Sequence, residues 1–302
     1  MINYRKLTAA LIAGTITCFS VVGCSMPWDS ASTDTQTTTV ATTQTNSSVV
    51  NTSSVTTDET EGDISIELDE EDTTTSYNES EASKIELTQT SATVTGSGVT
   101  VDGSKVTITS AGTYVISGTL TDGCIDVNVS GKGIVRIILN GVNVTSSTTA
   151  PFIVEDAKKV VVTLADGTTN TFTDSTRATT DDEDYSAAIT SKADLTFNGN
   201  GTLNVNAGYR NGIKSSDDLK IVSGTFNITS NEDGIVGKDL LAIKNGTFNI
   251  TSGQDGMKST YDTDDTKGNI IIDGGTFNIT AATDGIQSEH ILRINGGDFN
   301  IK

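Results

Sequence analysis

From about Thr95 onward, apolar and polar residues alternate in short runs: Val99-x-Val101, Val106-x-Ile108, Tyr114-x-Ile116, Ile125-x-Val127, Val135-x-Ile137 and Val142-x-Val144. Most of these runs end close to Gly, Asn-Gly or Asp-Gly, and a period of two predicts strands with one buried face. Beyond Asn211 the alternation becomes a phrase. Gly224-Thr-Phe-Asn-Ile-Thr229 returns at Gly246 and Gly275, and in altered form as Gly297-Asp-Phe-Asn-Ile301, in steps of 22, 29 and 22 residues. Two further phrases keep register with it. One is Asn211-Gly-Ile213, Asp233-Gly-Ile235, Asp255-Gly-Met257 and Asp284-Gly-Ile286. The other is Leu219-x-Ile221, Leu241-x-Ile243, Ile270-x-Ile272 and Leu292-x-Ile294. Three short β-segments per ~22 residues, repeated in register, predict a solenoid coil. The long step is a coil with a seven-residue insertion.

Strand geometry says how such coils stack. Side chains alternate between faces, so Phe and Ile of each Gly-Thr-Phe-Asn-Ile-Thr point inward and Thr, Asn and Thr outward. Coils stacked at ~4.8 Å then align Phe226, Phe248, Phe277 and Phe299 in one interior column. Ile228, Ile250, Ile279 and Ile301 form a second, with glycines at the corners. The expected fold is all-β: a right-handed parallel β-helix, the hand following the general preference of parallel crossovers. About 22 residues per coil predicts roughly nine coils, the first strands forming an atypical capping layer. The chain stops at Lys302 directly after an interior strand, which predicts that the sequence is a fragment lacking its C-terminal coils.

The start of the chain has another character. Residues 1–23 read as an export signal: Arg5 and Lys6, then an uncharged run to Val22. Val21-Val22-Gly23-Cys24 resembles a bacterial lipobox, so Cys24 is expected to carry lipid and anchor an extracellular protein to the membrane. Residues 24–86, rich in Ser, Thr and acids, predict a solvated tether, in which Asp69-Glu-Glu-Asp72 is a solvated charge run. The β-helix is expected over residues 87–302.

Composition narrows the chemistry. Only 34% of residues are apolar, which suits a thin solenoid core better than a compact globule. A net charge of −20 argues against nucleic acid as partner. With Cys18 in the signal and Cys24 lipidated, Cys124 is left without a disulfide partner, and it is read as a small residue at a coil corner. A lone His290 excludes a His-based triad or a multi-histidine zinc site.

Carboxylates are grouped. Asn211, Asp233, Asp255 and Asp284 occupy one coil position and should stack in a column. Asp217, Asp218 and Asp239, the loop with Asp262 and Asp264, and the loop with Asp182 and Asp184 are expected nearby. Stacked carboxylates repel unless a cation lies among them, and oxygen donors without Cys or His favour Ca²⁺. Each Asp-Gly alone is equally explained as a good turn. Arg210, Lys214 and Lys258 are the basic residues on this side, suited to bind an acidic sugar. Beside Ca²⁺, Lys214 or Lys258 would also suit proton abstraction in β-elimination by a polysaccharide lyase. The outward Thr-Asn-Thr rows form a flat polar face that could match a polysaccharide.

Ala188-Ile-Thr-Ser-Lys-Ala-Asp194-Leu, Asn211-Gly-Ile-Lys-Ser215, Asp218-Leu-Lys-Ile221, Asp233-Gly-Ile-x-Gly-Lys-Asp239 and Asp255-Gly-Met-Lys-Ser259 resemble a clostridial-type carbohydrate-binding family. So do Ala111-Gly-Thr-Tyr-x-Ile-Ser-Gly118 and Leu139-Asn-Gly-Val-x-Val144 near the start. The resemblance, over about Val94 to Lys302, implies secreted parallel β-helices similar in shape to pectate lyases, which bind calcium and cellulose or acidic sugars. It implies no proven enzyme. The expected function is a cell-surface lipoprotein that binds polysaccharide, such as polygalacturonate or cellulose, through a Ca²⁺-loaded β-helix. The alternatives are a Ca²⁺-dependent lyase and a structural adhesin.

Overall fold

The structure, a computed structural model, describes residues 64–131, 133–175 and 185–302. The export signal, Cys24, Asp182 and Asp184 lie outside them. Residues Ile64–Lys302 belong to one compact unit.

The repeat builds a parallel β-solenoid with three faces. The first face stacks Phe152–Asp156, Ala187–Ser191, Asn211–Ser215, Ile235–Gly237, Met257–Lys258 and Ile286–Gln287. The second stacks Lys159–Leu164, Asp194–Gly199, Asp218–Ile221, Leu240–Ile243, Asn269–Ile272 and Leu292–Ile294. The third stacks Thr169–Asp174, Thr202–Ala207, Thr225–Ser230, Thr247–Ser252, Thr276–Ala281 and Asp298–Ile301. Ahead of these six coils, Cys124–Asn128 leads into one long strand, Ile134–Ser146. Its first half pairs with the second face and its second half with the third. The ordered coils thus come to about seven turns rather than nine. Upstream strands go instead to a cap, in which Ala92–Thr95 and Val99–Asp102 run antiparallel to their neighbours and close the ladder at that end.

The interior columns form in the expected register. Phe226, Phe248, Phe277 and Phe299 are rung partners. Successive rings lie parallel with centroids 5.2, 4.8 and 4.5 Å apart. Two glycine columns explain the repeated phrases. Gly224, Gly246, Gly275 and Gly297 adopt φ between 120° and 143°, a left-handed corner that only glycine takes cheaply. Gly212, Gly234 and Gly256 leave no room for a Cβ, which would come within 2.5 Å of the next coil's glycine carbonyl.

The expected boundary between tether and β-helix at 86/87 needs correction, because residues 64–86 belong to the ordered unit. Asp69 caps a short helix, Glu70–Thr73, through a reciprocal capping box with Asp72. Ser83–Gln89 then joins the sheet beside Gly112–Leu120. The acidic run expected to be solvated docks on the second face, and Asp72 is wholly buried there. Its partners are basic and hydroxyl side chains that a composition-based reading of the segment does not see.

Candidate functional site

The Asp-Gly column lies at the corner that opens the first face, and one oxygen each of Asn211, Asp233 and Asp255 is committed to backbone. Asn211 Oδ1 accepts from the Asp233 N–H, Asp233 Oδ1 from the Asp255 N–H, and Asp255 Oδ1 from the Asp284 N–H, at 3.0–3.1 Å. Lys258 Nζ donates to Asp255 Oδ2 at 2.8 Å and lies 4.0 Å from Asp233 Oδ2. Burial opposes ionisation of Asp255, but Lys258, Thr283 and the Asp284 N–H together hold its carboxyl below the usual range. Asp233, with fewer such partners, is pushed up by burial. These residues form a ladder that ties coil to coil, with Lys258 as its counter-charge.

A carboxylate cluster forms at the next corner, between the first and second faces. One oxygen from each of Asp194, Asp217 and Asp218 lies within 4.8 Å of the others. The chain places them through an Ile-x-Ser-x-x-Asp-Leu corner. Ser191 Oγ and Ser215 Oγ both donate to the Ala193 carbonyl, and Ser215 Oγ accepts from the Asp217 N–H. Asp194 and Asp218 then occupy equivalent outward positions on adjacent rungs. Burial, with the negative charge of Asp194 beside it, pushes Asp218 up to about 6. Burial and Asp217 raise Asp194 as well. Asp239 sits on the following rung, where its charge also opposes ionisation of Asp218. It is 7% exposed, and its Oδ1 has no hydrogen-bond partner among the described residues. Its Oδ2 pairs with Lys267 of the inserted loop.

This donor set suits a hard cation. Oxygens 2.3–2.6 Å from one Ca²⁺ are at most about 5 Å apart, so the three carboxylates can reach a common ion. Of the residues predicted to bind metal, Asp217 lies in this cluster, whereas Asn211, Asp233, Asp255 and Asp284 lie in the ladder. Asp264 caps its own loop, accepting from the N–H and hydroxyl of Thr266, and Asp262 is exposed beside it. Asp218 and Asp239 are among the acids expected beside the column, whereas a count of Asp-Gly steps passes over Asp194. The signal was there in the Asp-Leu that follows Ser by two or three residues.

The basic residues are held by neighbours. Arg210 pairs with Glu232 at 2.8 Å, and Lys214 donates to Ser186 Oγ at 2.9 Å. Burial disfavours the charged Lys258, yet Asp255 and Asp233 raise its pKa above the ordinary value. A lysine held protonated is a poor general base.

A third feature is the outer side of the third face. Asn204, Asn227, Asn249, Asn278 and Asn300 stack as an amide ladder, the Nδ2 of each after Asn204 donating to the preceding Oδ1 at 2.9–3.3 Å. With Thr229, Thr251 and Thr280 they line a shallow trough of about 500 Å³.

A family model for carbohydrate-binding domain-containing proteins matches residues 102–302. The chain belongs to that family. A carbohydrate-binding domain-containing protein of Acetivibrio thermocellus is 39% identical over 134 residues, covering 43% of this chain and 47% of that protein. The chain thus matches about half the length of that relative. The solved structure of a polysaccharide lyase-like protein from C. thermocellum, a gadolinium derivative, is 32% identical with a TM-score of 0.66. The likeness covers 73% of this chain and 94% of that one.

Proposed function

We propose that this family member binds acidic polysaccharide, of the polygalacturonate type, through Ca²⁺ held at Asp194, Asp217 and Asp218. The carrying observation is the convergence of three carboxylate oxygens within 4.8 Å at an accessible corner. An acidic protein and an acidic polymer repel, and an ion with oxygen ligands on both sides removes the repulsion. The gadolinium in the related structure, a hard oxygen-seeking cation, is in keeping with this donor chemistry. In this reading the protein is a lipoprotein tethered through Cys24 to the bacterial surface, where it holds plant-type cell-wall polymer. Binding, not turnover, is its role, since Lys258 is paired and held charged.

Affinity electrophoresis of the 64–302 domain through gels containing polygalacturonate tests this. Retardation is expected with calcium, lost in chelator and lost in D218N. Equal migration under all conditions would remove the reading. A second reading, docking of a neutral glucan such as cellulose, is favoured by the amide-lined trough and would give binding indifferent to chelator.

A further inference from the structure

The segment before the solenoid reaches the carboxylate corner through two lysines. Asp72 Oδ1 accepts from Lys159 Nζ at 3.0 Å and from Thr196 Oγ1 at 2.7 Å, and Asp72 Oδ2 lies 3.7 Å from Lys220 Nζ. Lys220 also donates to the Glu67 carbonyl at 3.0 Å, and Asn198 Nδ2 to the Asp72 carbonyl at 2.9 Å. The same two lysines border the cluster. Lys159 is the rung partner of Asp194, and Lys220 follows Asp218 by two positions on the same outward side of its strand. Both ammonium groups already act on Asp194 through space.

We propose that Asp72 is a positioning residue for the cation site. By holding Lys220 against the N-terminal strap, where Asp69 shares the hold on Lys159, it keeps the ammonium groups off Asp194 and Asp218 and leaves those carboxylates open to a divalent cation. The inference rests on the reading of the cluster as a cation site. That reading has a second support in the buried, unpartnered Asp239 oxygen on the neighbouring rung. Without Asp72, Lys159 still has Asp69 beside it, whereas Lys220 is released toward Asp194 and Asp218, on which it already acts through space, and would take the place of the ion. The strap would thus be part of the binding machinery, although it lies outside the repeats.

Calcium titration calorimetry of the 64–302 protein at pH 7, with folding checked by circular dichroism, tests this. Wild type is expected to bind and D218N to lose binding. D72N should bind about tenfold or more weakly, the usual size of an outer-shell effect. D72N/K220M should recover most of the loss, which a merely structural role of Asp72 would not produce. D72N binding like wild type while folded, or D72N/K220M remaining as weak as D72N, would overturn the proposal. Wild type failing to bind, or D218N binding normally, would instead overturn the underlying cation reading. Should D72N not fold, K220M alone decides. Its affinity should stay within about threefold of wild type if Lys220 is already held away, and a tenfold gain would show that it competes.

Discussion

Asp72 and Lys159 form an ion pair in which the aspartate side chain is fully buried and the lysine side chain 8% exposed. Asp69, the other carboxylate on Lys159, is half exposed. Removing Asp72 leaves the buried Lys159 ammonium to Asp69 alone and takes the acceptor from Thr196, a loss approaching the ~3–5 kcal/mol of a broken buried pair. An exposed pair contributes less than about 1 kcal/mol. D72A should therefore lower the thermal midpoint of the 64–302 protein sharply in chelator, while D69A shifts it little. A fragment starting at residue 87 should resemble D72A. Equal midpoints for all three would mean that the strap carries no weight in the fold.

The phenylalanine column makes a second contrast. Phe248 is fully buried between Phe226 and Phe277, at 5.2 and 4.8 Å. Phe299, at the last rung, is only partly covered. F248A should cost about 3–5 kcal/mol, since the parallel coils on either side cannot collapse into the void. F299A should cost clearly less. Denaturant titration of the two variants against wild type measures both, and the reverse order would show that the column is not continuous packing.

Asp218 gives a pH dependence whose sign is set by its raised value. Its folded pKa of about 6 exceeds the ordinary carboxylate value of 3.8, so the folded state holds a proton that the unfolded chain has released. Its contribution to stability is thus intact below about 4 and is lost as pH rises through 6. In chelator, the D218N variant should become more stable relative to wild type across that window. With calcium the trend in wild type should weaken or reverse, because the ion favours the ionised carboxylate. Thermal melts at pH 4, 5, 6 and 7, with and without calcium, read this out. A flat difference in chelator would mean that Asp218 is not held protonated.

The solenoid was legible because its cause is local and repeated: the Phe-x-Ile alternation and the corner glycines state the same geometry four times. The site was legible only in part. Asp233 and Asp255 share the cluster's residue type and repeat more plainly, yet one oxygen of each is taken up by a backbone N–H one coil away and the other faces Lys258, contacts that a linear pattern does not display. Asp194 and Asp218 stand a full coil apart in sequence and meet only through rung register. Asp72 was hidden for a different reason. Composition predicts solvation for an acidic run, and what overrides it are Lys159, Thr196 and Lys220, side chains some 90 to 150 residues downstream.

The trough on the third face separates the two sugar readings. Its amides are spent on one another along the ladder, so each Asn presents its remaining lone pair and N–H outward, beside a threonine hydroxyl from every coil. Such a surface can bond a neutral glucan without a metal. N227A/N249A removes two rungs of amides from exposed or half-exposed positions, at a modest stability cost of about 1 kcal/mol each. If the trough binds sugar, the double variant should lose retention on insoluble cellulose in chelator while its calcium-dependent retardation by polygalacturonate persists. D218N should show the opposite pattern. Loss of both activities in either variant would place the two polymers on one surface and reduce the ladder to a structural role.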